Sequence, residues 1–90
     1  MFEWSPGKKA VNRAKRGVGF DEASTVFMDA SAVCFSDPEH SANEERLILV
    51  GYSSANRLLF VSHQDLGENI RIISARPATT LERKRHEQHS

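Results

Sequence analysis

Disulfide chemistry is closed to this chain, because Cys34 is its one cysteine and no internal bridge can form. The thiol stands between Val33 and Phe35, and the expectation is a buried, structural side chain rather than a nucleophile. No apolar run approaches the roughly 18 residues that span a bilayer. The opening residues Met1-Phe2-Glu3-Trp4-Ser5-Pro6 lack the charged-then-apolar order of a signal peptide, so a cytoplasmic location is expected. Proline and glycine are few, three and five, and no linker, repeat or low-complexity stretch interrupts the sequence. Residues 1–90 therefore read as a single domain with one modest core.

Net charge is also missing, but the zero sum hides a partition. Residues 1–20 carry +4, residues 21–45 carry −7 with no Lys or Arg, and residues 46–90 carry +3. Local positive potential is what a polyanion binder needs, and overall charge conceals it here. Nucleic-acid binding is thus permitted, with solvated charged faces as the alternative.

What is present is a clear change of hydrophobic period. Ser5 resembles an N-cap with Pro6 at the first helical position, and Gly17 closes a basic helix over 7–16 whose thin inner stripe is Ala10, Val11 and Ala14. Asp21 reads as the N-cap of a second helix over 22–28, with Ala23, Val26 and Phe27 on its apolar face. Phe2-Glu3-Trp4 is a brief edge strand or an anchored terminus. Beyond residue 31 the pattern alternates. Strands are expected at 32–35, 46–53, 57–64 and 69–76, with a polar loop at 37–43 and turns at 54–56 and 65–68. In the second of these strands Leu47 and Leu49 share one face, and Ile48, Val50 and Tyr52 the other. Thr79 and Glu82 have capping-box spacing before a final charged helix. The expected fold is α+β: two N-terminal helices, a four-stranded antiparallel meander and a C-terminal helix, with the sheet burying a face against helices.

Several blocks resemble one family. Phe2-Glu3-Trp4 with Lys8 and Asn12 comes first, then Gly17-Val18-Gly19-Phe20-Asp21-Glu22-Ala23 continuing to Val26-Phe27 and Asp29. Asp37-Pro38-Glu39-His40, Glu44-Glu45-Arg46 and Gly51-Tyr52-Ser53-Ser54 follow in order. The strongest block runs from Ile70 through Arg71-Ile72-Ile73-Ser74-Ala75-Arg76-Pro77-Ala78 to Thr79, ending in Glu82-Arg83. Taken in this order, they resemble the BrnT toxins of type II toxin–antitoxin systems. The resemblance implies a RelE-like fold and a ribonuclease that inhibits translation without a metal, using basic residues of the sheet and C-terminal segment. It also implies neutralisation by a BrnA-type antitoxin, which carries the contact with operator DNA. Two positions depart from the family: Lys15-Arg16-Gly17 stands where Lys-His-Gly is usual, and His86 where a Tyr is common.

Metal-free cleavage of RNA employs the neighbouring 2′-hydroxyl, so the protein has to remove a proton, neutralise a phosphorane and protonate the 5′-oxygen. Arg71 and Arg76 interrupt the last strand and suit phosphate, and the neutral reading for each is an ion pair with Glu45, Glu68 or Glu82. Period two keeps them on opposite faces unless the strand twists or bulges. His63, His86 and, in the acidic loop, His40 are candidates for proton transfer, with Glu68 a possible base. Lys8 and Lys9 on the first helix, Arg46 and Arg57 at strand starts, and Thr79 and Arg83 near the last helix are candidates for RNA, bound free or at the ribosome. His86 and His89 lie three apart, but no Cys or acidic partner has ligand spacing, so neither metal nor cofactor is expected. The rival reading is a catalytically degenerate module that binds antitoxin or RNA.

Overall fold

The computed structural model describes residues 1–37 and 46–89. Its elements run β1 (Phe2–Glu3), α1 (Pro6–Arg16), α2 (Phe20–Thr25), a 3-10 turn (Val26–Met28), β2 (Val33–Ser36), β3 (Leu47–Tyr52), β4 (Leu58–Asp65), β5 (Ile70–Pro77) and α3 (Thr80–His89). The sheet order is β1-β5-β4-β3-β2. The antiparallel meander is present, with a correction: the sheet has five strands and is mixed, because Phe2 and Glu3 pair in parallel with Ile70 and Arg71. Of the two readings of Phe2-Glu3-Trp4, the brief edge strand is the one realised, over Phe2 and Glu3, but so short a segment carries no signal of its partner or direction. The pairing is supplied by the far end of the chain, where the Met1 amino group also reaches the Glu68 carbonyl.

α1 starts and stops where its residues dictate. The Ser5 hydroxyl accepts from the Lys8 amide, Pro6 opens the helix and Gly17 ends it at φ 71°. Its packing differs from the expected Ala10–Val11–Ala14 stripe: all three are exposed, and the helix is seated by Asn12. The physical reason is that α1 lies along the edge of β5. There the Ala75 N–H donates to Asn12 Oδ1 at 3.1 Å, while Asn12 Nδ2 donates to the carbonyls of Ala75 (2.9 Å) and Val18 (2.8 Å). An open sheet edge needs polar partners, and an apolar stripe cannot provide them.

The second helix begins earlier than expected and at a different cap. Gly19 is the N-cap, and Asp21 sits inside the first turn with its carboxylate on Lys9 Nζ at 2.9 Å. The expected helix over 22–28 splits after Thr25 into the 3-10 turn. Ser24 and Thr25 hydroxyls donate back to the carbonyls of Asp21 and Glu22, which favours termination. The turn then approaches β3 closely. A Cβ on Gly51 would lie 2.7 Å from the Ala32 Cβ, so only glycine fits beneath it.

Both faces of the sheet are used. Leu49, Leu59, Val61, Ile72 and Ala75 pack against Val18, Phe20, Ala23 and Val26 on the α1/α2 side. Ile48, Val50 and Leu58, with Tyr52, Phe60 and Ala78, form a second cluster on the α3 side. The division of β3 between its faces is therefore as its alternation predicts. Cys34 is a further correction: it is exposed, because β2 is the outermost strand of the sheet. The loop at 38–43, His40 and Glu45 lie outside the described residues.

Candidate nucleic-acid interface

The register of β5 decides which arginines share a face. Ser62 pairs with Ser74 and His63 with Ile72, so Ile73 is an extra residue in β5. Ile72 and Ala75 consequently both enter the α1/α2 core, and the residues flanking them, Arg71 on one side and Ser74 and Arg76 on the other, point to the opposite face. The bulge thus overrides the simple alternation that separates Arg71 from Arg76.

The two arginines have different surroundings. Arg76 makes a paired contact with Glu82, Nη1–Oε1 and Nη2–Oε2 both at 2.7 Å, and its guanidinium lies 3.9 Å over the Phe60 ring. The Glu82 carboxylate also accepts from the Thr79 N–H, and the Thr79 hydroxyl oxygen accepts from the Glu82 N–H, completing the expected capping box. Arg76 and Thr79 therefore fasten α3 to the end of β5. Arg71 is half-exposed and meets Glu3 at 3.5 Å.

A groove runs along α1 and the edge of β5. One section, about 410 Å³, is lined by Gly7, Lys8, Val11, Asn12, Lys15, Arg16, Arg46, Ile73 and Ser74. The next, about 350 Å³, shares Lys8 and Ile73 with it and adds Glu3, Trp4, Ser5, Arg71 and Ile72. Lys8, Lys15, Arg16, Arg46 and Arg71 thus face one channel in which, among the described residues, Glu3 is the single acidic lining residue. Among the described residues Lys8, Lys15 and Arg16 form no ion pair, so a phosphate binding there displaces no carboxylate.

Of the described residues singled out from sequence, Lys8, Arg46 and Arg71 meet in this groove and the others lie elsewhere. Lys9 pairs with Asp21 and lies 5.4 Å from the Trp4 ring centroid. Arg57 forms a paired contact with Glu22 and also donates to the Gly17 carbonyl, joining the β3–β4 turn to α2. His63 is buried within β4, edge-on to Phe27, rather than at a strand end. His86 is buried under α3, its Nε2 2.9 Å from the Ser31 carbonyl and its ring edge-on to Tyr52. Glu68 and Arg83 are exposed, on the β4–β5 turn and on α3. Sequence reasoning passed over Lys15, Arg16 and Ser74 as groove residues. The signal for the first two was there, since Lys8, Asn12, Lys15 and Arg16 recur at i, i+4, i+7 and i+8 on one helical face. Ser74 joins them only because of the bulge.

A scan against protein-family models matches residues 4–82 to the ribonuclease toxin BrnT of type II toxin–antitoxin systems. The chain belongs to the BrnT family. Its fold matches the crystal structure of the Brucella abortus ribonuclease toxin BrnT with a TM-score of 0.69 and 25% identity, over 89% of this chain and 99% of that one. Comparison with curated proteins gives no match. Among the described residues no helix is long and apolar enough to cross a membrane.

The paired and buried titratable groups that hold this chain together have a pH signature. Arg57 holds the Glu22 carboxyl below the ordinary range, Arg76 does the same to Glu82, and the Tyr52 N–H does so to Asp29. Burial pushes His63 below its ordinary 6.5. For each group the unfolded state binds the proton more readily than the fold, so stability decreases as pH falls. The urea midpoint should be level near neutrality and begin to fall below about pH 6.5, where the unfolded His63 protonates. It should then fall faster below about pH 4.5 as the unfolded carboxylates follow. A midpoint that rises between about pH 6 and about pH 4 would contradict these pairings.

Proposed function

We propose that this chain is a metal-independent endoribonuclease with a RelE-like fold that stops translation by cutting RNA in the α1–β5 groove. The carrying observation is the convergence of Lys8, Lys15, Arg16, Arg46 and Arg71 on one channel. In this reading Arg46 and Arg71 grip the non-bridging oxygens and offset the charge that develops as the 2′-hydroxyl attacks. Lys8 belongs to both sections of the groove and carries donors only, which suits protonation of the leaving 5′-oxygen. Lys15 and Arg16 extend the positive track along the strand. Arg16, at a departure from the family pattern, supplies a permanent charge where an imidazole is usual. Arg76, Thr79 and His86 act indirectly, by seating α3.

The toxin acts in the cytoplasm, on RNA free or at the ribosome, and is neutralised by a BrnA-type antitoxin through which operator DNA is bound. Inducing the chain in a bacterium should arrest growth, and co-expressing the antitoxin should restore it. In vitro, purified protein should cut RNA with undiminished rate in excess chelator. Activity lost to chelator and regained with a divalent metal would overturn the metal-free mechanism. A second reading, a degenerate module that binds antitoxin or RNA without cutting, is favoured by one observation: among the described residues no imidazole lines the groove. Folded protein that captures antitoxin yet leaves RNA intact would establish it.

A further inference from the structure

The second section of the groove has features that phosphate binding does not explain. Glu3 is a carboxylate in a cationic channel, where it opposes a polyanion. Its contact with Arg71 is loose, Nη2–Oε2 at 3.5 Å, against 2.7 Å for both arms of the Arg76–Glu82 pair. Both side chains remain well exposed, Glu3 at 40% and Arg71 at 50%. Beside them stands Trp4, the one tryptophan of the chain, held in place edge-on to Phe20 at 6.1 Å. Trp4 and Ile73 give this section its apolar surface, and Ser5, Glu3, Lys8 and Arg71 its polar rim. At about 350 Å³ it lies in the size range of small-molecule pockets.

We propose that this section is a nucleobase subsite that selects guanine, with Glu3 reading the base and Trp4 forming part of its wall. The inference rests on the groove being the RNA-binding track described above. An ionised carboxylate accepts hydrogen bonds and donates none. Guanine is the base that sets two donors, the N1–H and the N2 amino group, side by side on its Watson–Crick edge, so both oxygens of Glu3 are satisfied together. Adenine and cytosine place a ring acceptor beside their amino group, and that acceptor faces the carboxylate unfavourably. Uracil offers one donor between two carbonyls. Single-stranded RNA is recognised in this manner, with unstacked bases placed against aromatic side chains and read along their edges. Arg71 and Lys8, on the same rim, hold the adjoining phosphate, so base and backbone contacts are contiguous.

Binding of short uridine oligomers with one central guanosine, adenosine, cytidine or uridine tests this. The oligomers are 2′-O-methylated to block cleavage, and affinity is read from the emission of Trp4. The guanosine oligomer should bind at least about tenfold more tightly than the others, which is about 1.4 kcal/mol. Glu3→Gln, a solvent-facing change that keeps the side-chain shape, should reduce that preference to less than about twofold. Equal affinities for all four, with binding that still weakens steeply as salt rises, would overturn the guanine subsite and leave the basic track standing. No binding of any oligomer would overturn the track and the subsite together. Selection of another base, or a guanosine preference that survives Glu3→Gln, would overturn the role given to Glu3.

Discussion

Replacing Arg46 and Arg71 together by alanine should lower RNA cleavage by at least about a hundredfold while leaving the chain folded. Both belong to the rim of the groove and neither is part of the core. A guanidinium on a phosphate oxygen makes a charge-assisted bond that strengthens as the phosphorane forms, so its loss falls on the transition state. About tenfold per arginine corresponds to about 1.4 kcal/mol each, and about 2.7 kcal/mol for the pair if the two act independently. Arg71→Ala carries a second cost, since it leaves the Glu3 carboxylate in the RNA groove without its counter-charge. Single-turnover cleavage with far-UV dichroism as the folding control makes the measurement. Arg57→Ala is the informative comparison. It breaks the Glu22 pair and should reduce stability, yet its guanidinium is not among the groove residues, so cleavage by the folded fraction should persist. Full activity in the double variant would remove the groove from consideration.

Phe20→Ala should cost about 3–5 kcal/mol of folding free energy, the range for truncating a buried aromatic. Phe20 is fully buried and among the largest side chains of the core, between the sheet and Trp4 at the entry to α2. Its removal leaves a void bounded by β-sheet residues that cannot collapse inward without breaking strand pairing. A chain of this size has about 5–13 kcal/mol of stability in total, so the variant should be close to unfolding at physiological temperature. The melting midpoint should drop by at least about 12 °C, taking about 4 °C per kcal/mol. A loss below about 1 kcal/mol would mean that α2 is not seated as described.

These effects depend on features of unequal visibility in the sequence. The caps were legible: Ser5, Pro6, Gly17, Asn56 at φ 61° and the Thr79–Glu82 box each act through bonds within a few residues. The four longer strands were legible for the same reason, as period-two alternation is a local property. Asp21 misled as a cap because its carboxylate had a better partner in Lys9, twelve residues earlier. The inner stripe of α1 misled because the helix meets a strand edge, where Asn12 is worth more than Ala or Val. Arg76 carries the chemistry expected of a phosphate ligand, but Glu82 takes up its guanidinium.

The order of residues alone determined the α+β class, the strand alternation, the ends of α1, the capping box of α3, the absence of an internal disulfide and the family to which the chain belongs, because these follow from local bonding, periodicity and shared motifs. Tertiary structure alone decided that Phe2 and Glu3 complete the sheet from the other end of the chain. It alone brought the cations of α1, Arg46 just before β3 and Arg71 of β5 to one groove, and let a one-residue bulge turn Arg71, Ser74 and Arg76 to a common face. Side-chain direction in a strand depends on register, and register is settled by pairing between segments distant in sequence.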